Sequence, residues 1–198
     1  LRHYDRLHGS RLFASLPLGA IEEHESQLDG LLQRCEIPAE LRSGVQRFFA
    51  AHFWDEDALR EAHRPFRGVL EVMRWFQLQP RIAVGLNTGR PEALRDATLR
   101  SLNQLGSEWK LHFRSRHLVM NPYGPGQQIG RGKAEGMREL QRDGYRIFAF
   151  VDNEPENLAA VHEIDPANEI LLLHADTIFE SARERLPSRA VSGQAWRG

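Results

Sequence analysis

Three short stretches of this sequence carry the residue types that phosphate and metal chemistry requires. The first is Thr88-Gly89-Arg90-Pro91, which follows the apolar run Ile82–Asn87. A hydroxyl, a glycine that lets backbone come close to a ligand, and the free N–H groups of a helix opened by proline together make an anion site. A tight turn with a threonine cap would use the same residues. The second is Lys133, which opens a predicted helix after a glycine-rich loop. A lysine opposes the helix dipole at that end, so its charge calls for a partner. The third is Asp152-Asn153-Glu154-Pro155-Glu156, which ends the apolar run Arg146–Val151. A carboxylate after so apolar a segment is costly without a partner. Asp152, with Asn153 or Glu156 beside it, offers the oxygen ligands that suit Mg²⁺. The competing use of these acids is to cap and complement the helix that follows.

Several other chemistries lack their residues. The segment Gly126–Ala134 resembles a phosphate-binding P-loop only superficially, because its first glycine lies one residue too far from Lys133. Ala134 also stands where a Ser or Thr would bind the metal. No Gly-x-Ser-x-Gly is present, no Gly-x-Gly-x-x-Gly follows a strand, and the nine histidines show no His-Glu-x-x-His spacing. Cys35 is the only cysteine, which excludes a disulfide within the chain and a cysteine-rich zinc site. Lys+Arg number 26 and Asp+Glu 27, a net charge of −1, so nothing points to nucleic acid or a membrane surface as partner. No apolar run reaches the roughly 20 residues of a membrane helix. The lone cysteine and the absence of a leader-like start make the cytoplasm the default location. The oligomeric state is not legible.

The elements that must position these residues follow from periodicity. Over 1–64 the pattern is helical. Ile21, Leu28, Leu31, Leu32 and Cys35 fall near helical spacing. Pro38 opens a second helix carrying Leu41, Val45, Phe48, Phe49 and Phe53, and a short helix is expected around Ala58–Ala62. The aromatic residues of this stretch, including Trp54, read as core or as a surface packed on the next zone. Over 65–181 helices alternate with strands. Strands are expected at Arg81–Asn87, His117–Met120, Arg146–Val151 and Glu169–Leu173. Helices are expected at Gly68–Gln77, from Pro91 to Gly106, over Lys133–Arg142 and from Pro155 to Glu163. That alternation predicts an α/β fold, a parallel sheet flanked by helices. In such folds ligands meet the carboxyl ends of strands, where Thr88 and Asp152 stand. Residues 182–198 read as a polar tail, either a linker or a frayed end.

The three sites, in this order and on these elements, resemble the motifs of the haloacid dehalogenase-like superfamily over residues 65–175. Thr88-Gly89-Arg90 matches its second motif, Lys133 its third, and Phe148–Glu156 its fourth. The resemblance implies a Rossmann-like parallel sheet with a helical cap, here residues 1–64, and a Mg²⁺-dependent phosphohydrolase acting on a phosphorylated small molecule. It also implies roles. Thr88, with Gly89 and Arg90, would bind the transferring phosphoryl oxygens. Lys133 would neutralise charge on the phosphoryl group and the nucleophile. Asp152 would hold Mg²⁺ with Asn153 or Glu156. A dehalogenase is disfavoured because those enzymes do not need Mg²⁺; a phosphomutase, or a phosphatase cut from a longer multifunctional chain, stays open. The family's first motif, a strand ending in Asp-x-Asp that supplies the nucleophile, has no match. Asp5 is preceded only by Leu-Arg-His-Tyr and followed by Leu7, and Asp29 lies inside an amphipathic helical pattern. The expectation is that this strand lies upstream of Leu1, leaving the chain as given inactive. The alternative is a non-catalytic relative that binds a phosphorylated ligand or a protein partner.

Overall fold

The N-terminal apolar spacing forms helices: α1 (Arg2–His8), α2 (Leu28–Arg34) and α3 (Ala39–His52), the last entered through Pro38. The computed structural model describes residues 1–16, 21, 27–53, 55, 65–66, 68–175 and 185–193. The expected helix at Ala58–Ala62 and Trp54 lie outside that set. α1 and α2 both pack on α3 around Phe13, Leu32 and Val45, which are fully buried, with Tyr4, Leu28, Leu31 and Ile37 around them. Asp5 is buried here as a structural acid. Its carboxylate accepts the Ser10 hydroxyl and the backbone N–H groups of Leu12 (2.9 Å) and Phe13 (2.8 Å), which closes the turn after α1. Asp29 accepts the side-chain amides of Gln33 and Gln46, tying α2 to α3.

Beyond residue 68 helices and strands alternate: α4 (Val69–Leu78), β1 (Leu86–Pro91), α5 (Arg95–Gly106), β2 (Leu118–Asn121), α6 (Ile129–Arg142), β3 (Ala149–Asp152), α7 (Pro155–Glu163), β4 (Leu171–His174) and β5 (Val191–Ser192). Every strand pair is parallel, as crossovers through helices require. The described strands form two sheets, β1-β2 and β3-β4-β5. β1 and β3 are each the terminal strand of their sheet. In the first, Leu86 pairs with Leu118 and Asn87 with Val119, and the register then slips so that Pro91 meets Asn121. In the second, Ala149–Asp152 pair in step with Leu171–His174.

The strands begin later than the apolar runs suggest. Residues 82–85 and Ile147 precede the ladders, because the partner strands begin only at Leu118 and at Leu171, whose N–H bonds the Phe148 carbonyl. A strand is counted where its hydrogen bonds find a partner, whereas hydrophobicity reports burial alone. β1 thereby extends through Thr88-Gly89-Arg90, which the sequence places in a turn.

α6 begins at Ile129, four residues before Lys133. Its glycines explain why. A Cβ on Gly136 would stand 2.5 Å from Val119 Cγ1 and 3.0 Å from Asn87 Nδ2, and one on Gly132 would stand 2.8 Å from Asn121 Oδ1. Gly130 faces Ala160, the Glu156 carbonyl and Asn157 of α7. Gly130 and Gly132, which sequence reasoning assigns to a loop, lie with Gly136 on the face along which α6 presses on β1, β2 and α7. α7 covers one face of the second sheet, over a core of Met137, Phe150, Leu158, Val161, Ile170 and Leu172. On the strands' other face Val151, Leu171 and Val191 are about half exposed. Residues 185–193, within the segment that reads as a tail, return to the sheet as β5. No described helix is long and apolar enough to cross a membrane.

Candidate functional site

β1, the carboxyl end of β3 and the second turn of α6 meet at one place. Lys133 projects from α6, and its ammonium forms an ion pair with Asp152 Oδ2 at the end of β3. Both side chains are largely withdrawn from water, with exposures of 13% for Lys133 and 4% for Asp152. The other carboxylate oxygen, Oδ1, accepts the Glu154 backbone N–H and the Asn157 side-chain amide, each at 2.9 Å. This is the partner that a lysine so near a helix start calls for, and a buried pair of this kind holds together only when the remaining lone pairs find donors.

β1 reaches the same place through its backbone neighbours. Asn87 Nδ2 donates to the Lys133 carbonyl (2.7 Å), and Gly89 lies tightly against Ile129 of α6, a Cβ there meeting Ile129 Cγ2 at 3.1 Å. Thr88 stands between these two contacts. Its hydroxyl accepts the Arg90 N–H at 3.3 Å, a turn-type bond of the kind that stabilises such a bend. Arg90 folds inward, and Nη1 donates to Thr98 Oγ1 of α5 (3.2 Å). Burial lowers the Arg90 guanidinium from its ordinary value, and it remains a cation. Among the described residues its partner is this hydroxyl and not a carboxylate, so positive charge accumulates beneath the end of β1.

The acidic cluster divides. Asp152 is buried, Asn153 half-buried and Glu156 exposed on the first turn of α7. Asn157, one residue further on, is the side chain that meets Asp152. The helical turn carries position 157 inward beside Leu158 and Val161, whereas position 156 looks outward. Asn153 donates through its amide to Glu154 Oε1 (3.1 Å). Among the described residues no group of three or more His, Cys, Asp or Glu side chains is gathered as a metal site.

Sequence reasoning missed three asparagines. Asn87 ties β1 to α6. Asn157 completes the Asp152 shell. Asn121, buried at the end of β2, donates to the carbonyls of Gly124 (3.0 Å) and Gln127 (2.8 Å) and so shapes the loop that leads into α6. The available signal was position: each is an amide at a strand end, or on the inward face of the helix after one, where an unpartnered amide would be costly. No protein-family model matches this chain, and no curated protein or solved structure is similar to it.

Proposed function

We propose that this chain comprises the helical cap and α/β core of a Mg²⁺-dependent phosphohydrolase of haloacid dehalogenase-like type, acting on a phosphorylated small molecule in the cytoplasm. The observation that carries the reading is the buried Lys133–Asp152 pair, tied through Asn87 to the strand that bears Thr88. In this reading Thr88, Gly89 and Arg90 receive the phosphoryl oxygens, and Lys133 balances their charge. Mg²⁺, when bound, adds positive charge to the same oxygens. It takes one or two carboxylates together with waters and phosphate oxygens. Of the acidic cluster we take Asp152 as such a ligand, because it is the member beside Lys133. Glu156 points away, so a second carboxylate has to come from elsewhere.

We place that carboxylate, and the nucleophile, on an extended segment ending in Asp-x-Asp between β1 and β3. Such a segment would join the strands into one Rossmann-like sheet of order β2-β1-segment-β3-β4-β5. In support, β1 and β3 are each terminal strands, and Asn87 of β1 and Asp152 of β3 both bond Lys133. The second reading is a module that binds a phosphorylated ligand or a protein partner without turnover. It is favoured by the structural roles of Asp5 and Asp29, both held by local hydrogen bonds.

The test is phosphate release from p-nitrophenyl phosphate by the full-length protein. Release that requires Mg²⁺, and that falls at least about a hundredfold in both Lys133→Met and Asp152→Asn, is the expected result. No release at any Mg²⁺ concentration, with inorganic phosphate still bound by the wild type and lost in Lys133→Met, would leave the binding module in its place.

A further inference from the structure

β4 ends on His174, directly beside Asp152 in the parallel register. Its imidazole is buried. Nε2 lies 3.1 Å from the Asn153 carbonyl oxygen, and Nδ1 lies 3.2 Å from Ser192 Oγ on β5. A carbonyl oxygen only accepts, so Nε2 carries the proton and donates. In the neutral ring Nδ1 is then an acceptor, and the Ser192 hydroxyl donates to it.

The Asn153 carbonyl belongs to the peptide group that joins Asn153 to Glu154. The N–H of that same group donates to Asp152 Oδ1. A peptide group is planar, so holding its oxygen sets the direction of its N–H. One rigid plane therefore links the imidazole to the carboxylate.

We propose that His174 is the positioning residue of Asp152, locking the Asn153–Glu154 peptide so that its N–H meets the carboxylate, while β5 sets the imidazole tautomer through Ser192. When the imidazole is lost, the peptide can turn its carbonyl to water, and Asp152 Oδ1 keeps Asn157 but not Glu154. The C-terminal segment thereby becomes part of the site. It is anchored by Arg189, which donates to Asp165 Oδ2 (2.7 Å), the Ile170 carbonyl (2.7 Å) and His162 Nδ1 (2.8 Å). The inference rests on the proposed function only in that Asp152 is the group served.

The experiment is amide hydrogen exchange by NMR on the ¹⁵N-labelled full-length protein, with no turnover required. The reporter is the Glu154 amide. The reference is the Leu171 amide, which bonds the Phe148 carbonyl in the same sheet. His174→Phe keeps an aromatic ring and removes both hydrogen bonds, whereas His174→Gln returns an N–H donor. In His174→Phe the Glu154 amide should exchange about tenfold faster, and in His174→Gln it should return close to the wild-type rate. The Leu171 amide should hold steady in both. The wild-type ring nitrogens should show the Nε2–H tautomer, and Ser192→Ala should shift Nδ1. Unchanged Glu154 exchange in His174→Phe would overturn the proposal. So would equal acceleration of Leu171, or an Nδ1–H ring in the wild type. If His174→Phe does not fold, Ser192→Ala decides: an unshifted Nδ1 with unchanged Glu154 exchange overturns it. A protein with this pattern that hydrolyses no phosphate ester would sink the proposed function and leave the role of His174 standing.

Discussion

The Asp152 carboxylate lies where almost no water reaches it, and three donors meet it there: the Lys133 ammonium, the Glu154 N–H and the Asn157 amide. Desolvating two ions offsets most of their attraction, so the pair adds little net stability while being expensive to break. Lys133→Met alone leaves a buried carboxylate without its cation and should cost about 3–5 kcal/mol in urea unfolding. Adding Asp152→Asn to that variant should recover most of the loss, since no uncompensated charge remains; a double mutant no more stable than Lys133→Met would show that the pair is not the relevant contact. Asp165 is a second buried acid with a different task. Burial pushes its carboxyl up, but the N–H groups of Ile170 and Glu169 and the Arg189 guanidinium outweigh that and hold it below the usual carboxylate range. A depressed carboxyl stabilises the fold fully above its unfolded pKa, and that contribution fades as pH falls through the folded value. Asp165→Asn should therefore be less stable than the wild type at about pH 7, with the gap closing towards about pH 3. Urea midpoints across that range check it, and a gap that widens in acid would contradict it.

The helix α6 shows what an element demands of its sequence. It carries three glycines in 14 residues, a poor composition for helix propensity. The cost is accepted because two of them, Gly132 and Gly136, let the helix approach the strands more closely than a side chain allows. That approach sets the depth at which Lys133 meets Asp152. Gly136→Ala would drive a methyl into Val119 and the Asn87 amide, and should cost about 1–3 kcal/mol through overpacking. The control is Gly30→Ala on α2, where nothing lies within 4 Å of the new methyl; there helix propensity should raise stability by up to about 1 kcal/mol. Equal effects at the two positions would mean that close packing of α6 is not what its glycines serve.

For the whole molecule the decisive feature is that parallel strands are shared between two small sheets. A terminal strand leaves a row of backbone groups without a ladder partner, and parallel sheets normally bury both faces. Here Phe148 and Val151 at β3 and Trp75 on α4 are about half exposed. These 198 residues by themselves should melt broadly in circular dichroism and bind a hydrophobic dye, and an extended segment that joins β1 to β3 should sharpen the melt. A sharp, cooperative melt of the 198 residues alone would show that the two sheets are self-sufficient.

Much of this is legible in the chain itself. Alternating apolar runs and helical stripes dictate parallel βαβ units, and they place Asp152 at a strand end, because hydrophobic period and chain direction are local properties; Thr88, expected just past a strand, lies within β1. The helical N-terminal zone and the structural character of Asp5 and Asp29 follow from the same local patterns. What depends on distant partners is not legible. Strand limits wait on where β2 and β4 begin. Gly130 and Gly132, which read as a loop, join the packed face of α6 only against Asn157 and Asn121. Asn157, and not Glu156, completes the Asp152 shell because the turn of α7 decides which of two neighbours faces inward. His174 and Ser192 stand 18 positions apart along the chain and touch only because β5 lies beside β4. Sequence alone thus determined which elements form and which residue types stand near their ends, while the tertiary structure decided which side chains meet, since contact between residues far apart in the chain is set by packing and not by local preference.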